Sequence, residues 1–116
     1  MEITIFKDIK VTSQPFYRGA LVILNRIKEG ASKDLVKRIR EEKDKEKVNA
    51  LKQKLPAICF SGKFTKRNDK SLSQHSGLIC LDFDGYESQR DLLQEKERLS
   101  KNNYVYSVFI SPSVKD

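Results

Sequence analysis

The sequence predicts one small α+β domain. Two observations carry this. Apolar residues in the first half recur at helical spacing, and those in the second half gather into short β-prone runs bounded by turn residues. A third sets the scale. With 116 residues, 38% of them apolar and 34% charged, the chain has material for one hydrophobic core and a well-solvated surface. Residues 1–56 read as a mainly helical N-terminal part and residues 57–116 as the sheet part. The predicted architecture packs the N-terminal helices on a small mixed sheet, which a C-terminal β-α-β unit completes.

The elements follow in order. Residues 3–6 (ITIF) and 9–11 (IKV) are short β-prone pieces, and a turn is expected around Thr12–Pro15. Phe16, Ala20, Ile23, Leu24 and Ile27 share one face of a helix over 16–28, which Gly30 stops. Ser32 is placed as an N-cap, with Asp34 in the first turn where the helix dipole favours an acid. Leu35, Val36 and Ile39 then form an inner face. The charged stretch 38–47 (RIREEKDKEK) is either a solvated bridge in one long helix or a break between two. Val48, Leu51 and Leu55 resume the apolar face up to Pro56. Residues 57–61 (AICFS) read as a strand, with Gly62 at its edge or in a bulge. Residues 63–77 are polar and read as a loop, with a short strand extension through Phe64. Residues 78–83 (LICLDF) are the strongest predicted strand. An amphipathic helix over 87–101 and a strand over 104–110 (YVYSVFI) follow. Strand, helix, strand in that order implies a parallel pair with a right-handed crossover. Residues 57–61 and 78–83 are candidates for antiparallel pairing across the polar loop.

The charge balance is 23 basic to 16 acidic side chains, a formal +7. That favours polyanionic partners, because lysine and arginine near phosphates release counterions; added solubility is the other reading. No run approaches the roughly 18 apolar residues of a membrane span, and the N-terminus lacks the apolar stretch of a signal peptide. No membrane partner is expected, and the expected location is the cytoplasm. Cys59 and Cys80 each sit inside an apolar run and read as buried free thiols, with a disulfide open to them if their strands are neighbours.

The chemistry concentrates at the exit of the 78–83 strand. Side chains alternate faces along a strand, so Asp82 and Asp84 would point the same way. Two such carboxylates repel each other unless a divalent cation sits between them, and oxygen donors of this kind suit Mg²⁺ or Mn²⁺. Gly85 would let the backbone turn sharply or approach a phosphate. The structural alternative is a turn and N-cap pair ahead of the following helix. Ser111 and Ser113, at the end of the parallel partner strand, are candidate phosphate contacts or an ordinary Ser-Pro-Ser turn. Lys63, Lys66 and Arg67, with Phe64 between them, form a candidate nucleic-acid-binding loop or a solvated hairpin. His75 reads as a surface residue.

Three phrases in order, LPAICFSGKFTKR (55–67), HSGLICLDFDG (75–85) and YVYSVFISPS (104–113), resemble the VirE-type N-terminal domain of mobile-element and phage replication proteins. That domain is similar to archaeo-eukaryotic primase-polymerases. The resemblance implies that Asp82 and Asp84 match the first metal-binding motif and are catalytic. The implied reaction is nucleotidyl transfer, in which metals activate a 3′-hydroxyl and stabilise the leaving pyrophosphate. It also implies DNA or RNA and nucleotides as partners, and helicase or other replication domains in a full-length protein. Ser111-Pro112-Ser113 matches the start of the second motif, but Val114 stands where glycine is expected. A third acidic motif and the last strands of the catalytic sheet are absent from the sequence. The chain is therefore expected to be the front part of such a domain, inactive alone and open to self-association through an exposed sheet edge.

Two rivals stand beside this reading. LDFDG also fits the first motif of a haloacid-dehalogenase-type phosphatase, with Asp82 as nucleophile and Asp84 as acid–base. Tyr86 replaces the threonine expected there, and too few residues follow for the remaining motifs. The other rival is a non-catalytic nucleic-acid-binding or protein-interaction module.

Overall fold

A computed structural model describes residues 1–112. The order is β1 (Glu2–Phe6), β2 (Phe16–Gly19), α1 (Ala20–Lys28), α2 (Lys33–Glu41), α3 (Lys45–Lys52), β3 (Ala57–Cys59), β4 (Gly62–Phe64), β5 (Leu72–His75) and α4 (Gln89–Ser100), with a single 3₁₀ turn at Asp69–Ser71. The class is α+β, as the sequence predicts.

β1 organises the fold. It is the central strand of a three-stranded antiparallel sheet in the order β2-β1-β3. Thr4 lies opposite Tyr17 on one side and Cys59 on the other, while Ile5 lies opposite Phe16 and Ile58. Ile3, Thr4 and Phe6 are all fully buried, so β1 is covered on both faces. Its odd residues face α1. Ile3 packs with Ala20 and Ile23, and Ile5, Ile27, Ile58, Phe60 and Leu78 close around them. Its even residues face the second sheet, the antiparallel hairpin β4–β5.

The side chain of Thr4 joins the two sheets. Its hydroxyl donates to the Gly62 carbonyl at 2.7 Å and accepts from the Phe64 amide at 2.9 Å. The Tyr17 hydroxyl donates to the Phe64 carbonyl at 2.8 Å. Buried backbone groups need such partners, because leaving them unpaired costs as much as a lost hydrogen bond or more.

Several sequence expectations are corrected. The sheets are antiparallel, not mixed. Residues 9–11 form a turn, held by Asp8 accepting from the amides of Lys10 and Val11. Residues 16–19 pair with β1, so the first helix begins at Ala20; an exposed Phe16 fits an edge strand as well as a helix face. Ser32 is the N-cap residue of α2 and Asp34 lies in its first turn, as expected, but the Ser32 side chain makes no capping bond. The charged stretch is a break: α2 ends at Glu41, and Asp44 caps α3 by accepting from the Glu46 amide. The polar stretch after Gly62 contains the β4–β5 hairpin.

The largest difference is the β-α-β unit. α4 is present, and Ser88 caps it by accepting from the Asp91 amide. Residues 78–83 and 104–110, however, join neither sheet, and β3 pairs with β1 rather than with 78–83. A parallel pair is stable when both of its faces are covered. Here Leu78 reaches the core and the Phe109 ring meets Phe60 at 6.5 Å, while Ile79, Leu81, Phe83, Tyr104 and Tyr106 are exposed. The described residues place no second layer over these segments. Apolar content here signals a demand for burial without a partner in sequence to meet it.

Candidate functional site

Asp82 and Asp84 are both exposed, on irregular backbone between Leu78 and α4. Gly85 has φ +83°, a left-handed turn that redirects the chain towards α4. Asp84 and Gly85 line a cleft of about 270 Å³ with Tyr86, Glu87 and Leu92. The structure thus brings Asp84, Gly85 and a third carboxylate-bearing residue, Glu87, to one cleft, while Asp82 lies outside its lining. The N-cap of α4 is Ser88, so neither aspartate is occupied in capping the helix.

Tyr86 sits on the same wall. Desolvation raises its phenol pKa, and the nearby carboxylates of Glu95 and Asp84 add to the rise against the opposing Arg98. Arg98 also hydrogen-bonds the Glu95 carboxylate through Nε at 3.0 and 3.1 Å, which lowers the carboxyl pKa. This pair is exposed and fixes side chains on α4 without contributing appreciably to stability.

The donor set fits a cation only in part. Among the described residues no group of three or more His, Cys, Asp or Glu side chains is placed to hold a metal ion. Two carboxylates suit a Mg²⁺ that keeps its waters and completes its shell with substrate phosphates. They do not make a dedicated protein cage.

The other candidates lie elsewhere. Ser111 does not line the aspartate cleft, and Ser113 lies outside the described residues. The basic loop is divided in function. Lys63 is on β4, with its ammonium 4.9 Å from the Tyr17 ring centroid and 3.6 Å from the Glu2 carboxylate. Arg67 spans back to the β1–β2 connection: its amide donates to the Thr12 carbonyl at 2.9 Å and its guanidinium to that of Ile9. Lys63 thus faces β1 and β2, Arg67 holds the β1–β2 connection, and Lys66 is the exposed cation of the three. His75 accepts from the Gly77 amide through Nδ1 at 2.8 Å, fixing the turn that leads into 78–83.

Cys59 and Cys80 are both free. Cys59 is half-buried, and burial raises its thiol pKa against the lowering effect of Arg67. Cys80 is exposed rather than buried, because residues 78–83 are not packed into a sheet. No helix among the described residues is long and apolar enough to cross a membrane.

Thr4 and Gly62, which couple the sheets, escape a reading of the sequence for chemistry. Their signals were a lone hydroxyl inside ITIF and a glycine directly after AICFS.

Fold and site together define an α+β domain with an exposed acidic pair ahead of its last described helix. Residues 50–115, more than half of the chain, match the family described as BT4734-like, N-terminal domain. The chain belongs to that family. No curated protein and no solved structure matches it.

Proposed function

We propose that this chain carries the first metal-binding motif of a primase-polymerase-like replication domain of the VirE type, acting on nucleic acid and nucleotides. Asp82 and Asp84 supply its divalent-metal carboxylates. The observation that carries the reading is the phrase LICLDFDG, with both aspartates exposed, uncommitted to the helix cap and followed by a left-handed Gly85. A Mg²⁺ or Mn²⁺ held there would supply activation of a hydroxyl nucleophile and stabilisation of a leaving phosphate. The chain's own residues supply the anchoring carboxylates, a backbone turn compatible with close approach of a phosphate, and a net +7 that attracts polyanions. The chain alone is expected to bind without polymerising.

A second reading, a non-catalytic nucleic-acid-binding module, is favoured by one observation. Among the described residues of the expected second motif, Ser111 does not share the aspartate cleft.

Binding is testable directly. Fluorescence anisotropy with a single-stranded oligonucleotide should show affinity that falls with salt. Lys66→Ala should lower the slope of log K against log salt by about 0.7, one phosphate contact on a single strand. Arg67→Ala should also weaken the fold, because the guanidinium holds the β1–β2 connection. Absence of binding at about 50 mM salt would remove nucleic acid as the partner.

A further inference from the structure

A cavity of about 880 Å³ lies between the helix-facing side of the sheet and the first two helices, away from the aspartate cleft. Its volume is within the roughly 300–1,000 Å³ of small-molecule sites. The interior is apolar: Ile27 from α1 and Ile58 from β3 form part of its wall, and Ile110 closes another side. Among the described residues, the charged ones that line it are Arg26, Lys33, Lys37, Arg40 and Glu41. Arg26, Lys33 and Lys37 are exposed and enter no ion pair among the described residues. α2 begins at this rim, so the positive end of its dipole adds to theirs.

We propose that this cavity binds an amphipathic anion of the long-chain carboxylate class. The chain of the ligand lies against the isoleucine wall and its acidic head among Arg26, Lys33 and Lys37. Charge complementarity selects the sign: Arg26, Lys33 and Lys37 beside an apolar interior suit a single anionic head and disfavour a cationic one. The apolar interior selects the body. Ile5, Ile23, Ile27, Val36, Ile58 and Ile110 give the greater part of the wall an aliphatic character, which suits an alkyl chain. The site is independent of the aspartate cleft, and its test does not depend on the proposed replication role.

The probe is dodecanoate below its micellar concentration, titrated into the full chain and followed by NMR. The methyl signals of Ile27 and Ile58 and the amides of Ala31 and Ser32 should shift saturably, with the hairpin β4–β5 unaffected. Dodecyltrimethylammonium, the cationic counterpart, should bind at least about tenfold more weakly. The double substitution Lys33→Gln, Lys37→Gln alters only exposed side chains; it should weaken dodecanoate binding by about tenfold and leave the spectrum of the free protein folded. Equal binding of both amphiphiles, shifts spread over the whole chain, no saturable shift, or a double variant that binds as the parent does would each overturn the proposal.

Discussion

Gly62→Ala should destabilise the protein by about 3–5 kcal/mol, a large part of the roughly 5–15 kcal/mol that holds a domain of this size together. Gly62 is buried with φ +151°, a conformation that residues with a Cβ rarely adopt. A Cβ built there meets the Gln74 carbonyl oxygen at 2.0 Å and the Cα of His75 at 3.0 Å. Both are backbone atoms of the paired strand β5, so no rotamer change relieves the clash. The hairpin must open, and it carries with it the Gly62 carbonyl that Thr4 bonds. Denaturant titration measures this. A loss below about 1 kcal/mol would mean that β4 and β5 are not paired in this register.

Thr4→Val should cost about 2–4 kcal/mol, and Thr4→Ser about 1 kcal/mol. Valine keeps the shape of threonine and fills the same space. It leaves the Phe64 amide without its acceptor and the Gly62 carbonyl without its donor beside a fully buried position. Serine keeps both bonds and loses one methyl group. Unfolding midpoints of the two variants, compared at equal m-value, should therefore rank Ser above Val. The reverse order would show that packing of the methyl, rather than the hydroxyl bridge, couples the sheets.

The α+β class, β1, α4 and the start of β3 were legible because their apolar spacing is regular. Apolar residues of both parities in ITIF also signal a strand buried on both faces, and β1 is one. Of the hairpin, the strand through Phe64 was legible and β5 was not. β5 reads LSQH and is exposed along its length, so it carries no alternation, and its position is set by Gly62 and by side-chain bonds such as Ser73 Oγ to the Lys63 carbonyl. Residues 78–83 mislead in the opposite direction. Their apolar content predicts a central strand, but a ladder needs a neighbour, and sequence reports the demand without the supply. Spacing alone put Asp82 and Asp84 on one face of a strand, whereas the backbone there is irregular and Asp82 lies outside the cleft that Asp84 lines. The surroundings of the pair were not legible, since Glu87 joins Asp84 through the turn at Gly85, while Ser111 lies apart. Lys63 and Arg67 looked like ligands for phosphate because charge is visible in sequence, whereas the ring of Tyr17 and the carbonyl of Ile9 that engage them come from distant positions.

Binding of a divalent cation by Asp82 and Asp84 is open to Mn²⁺ titration, followed by paramagnetic broadening of amide signals. Saturable broadening centred on residues 82–87 is expected, displaced by Mg²⁺ and abolished by Asp82→Asn with Asp84→Asn. Broadening that is absent at millimolar Mn²⁺, or that persists unchanged in the double variant, would contradict such binding.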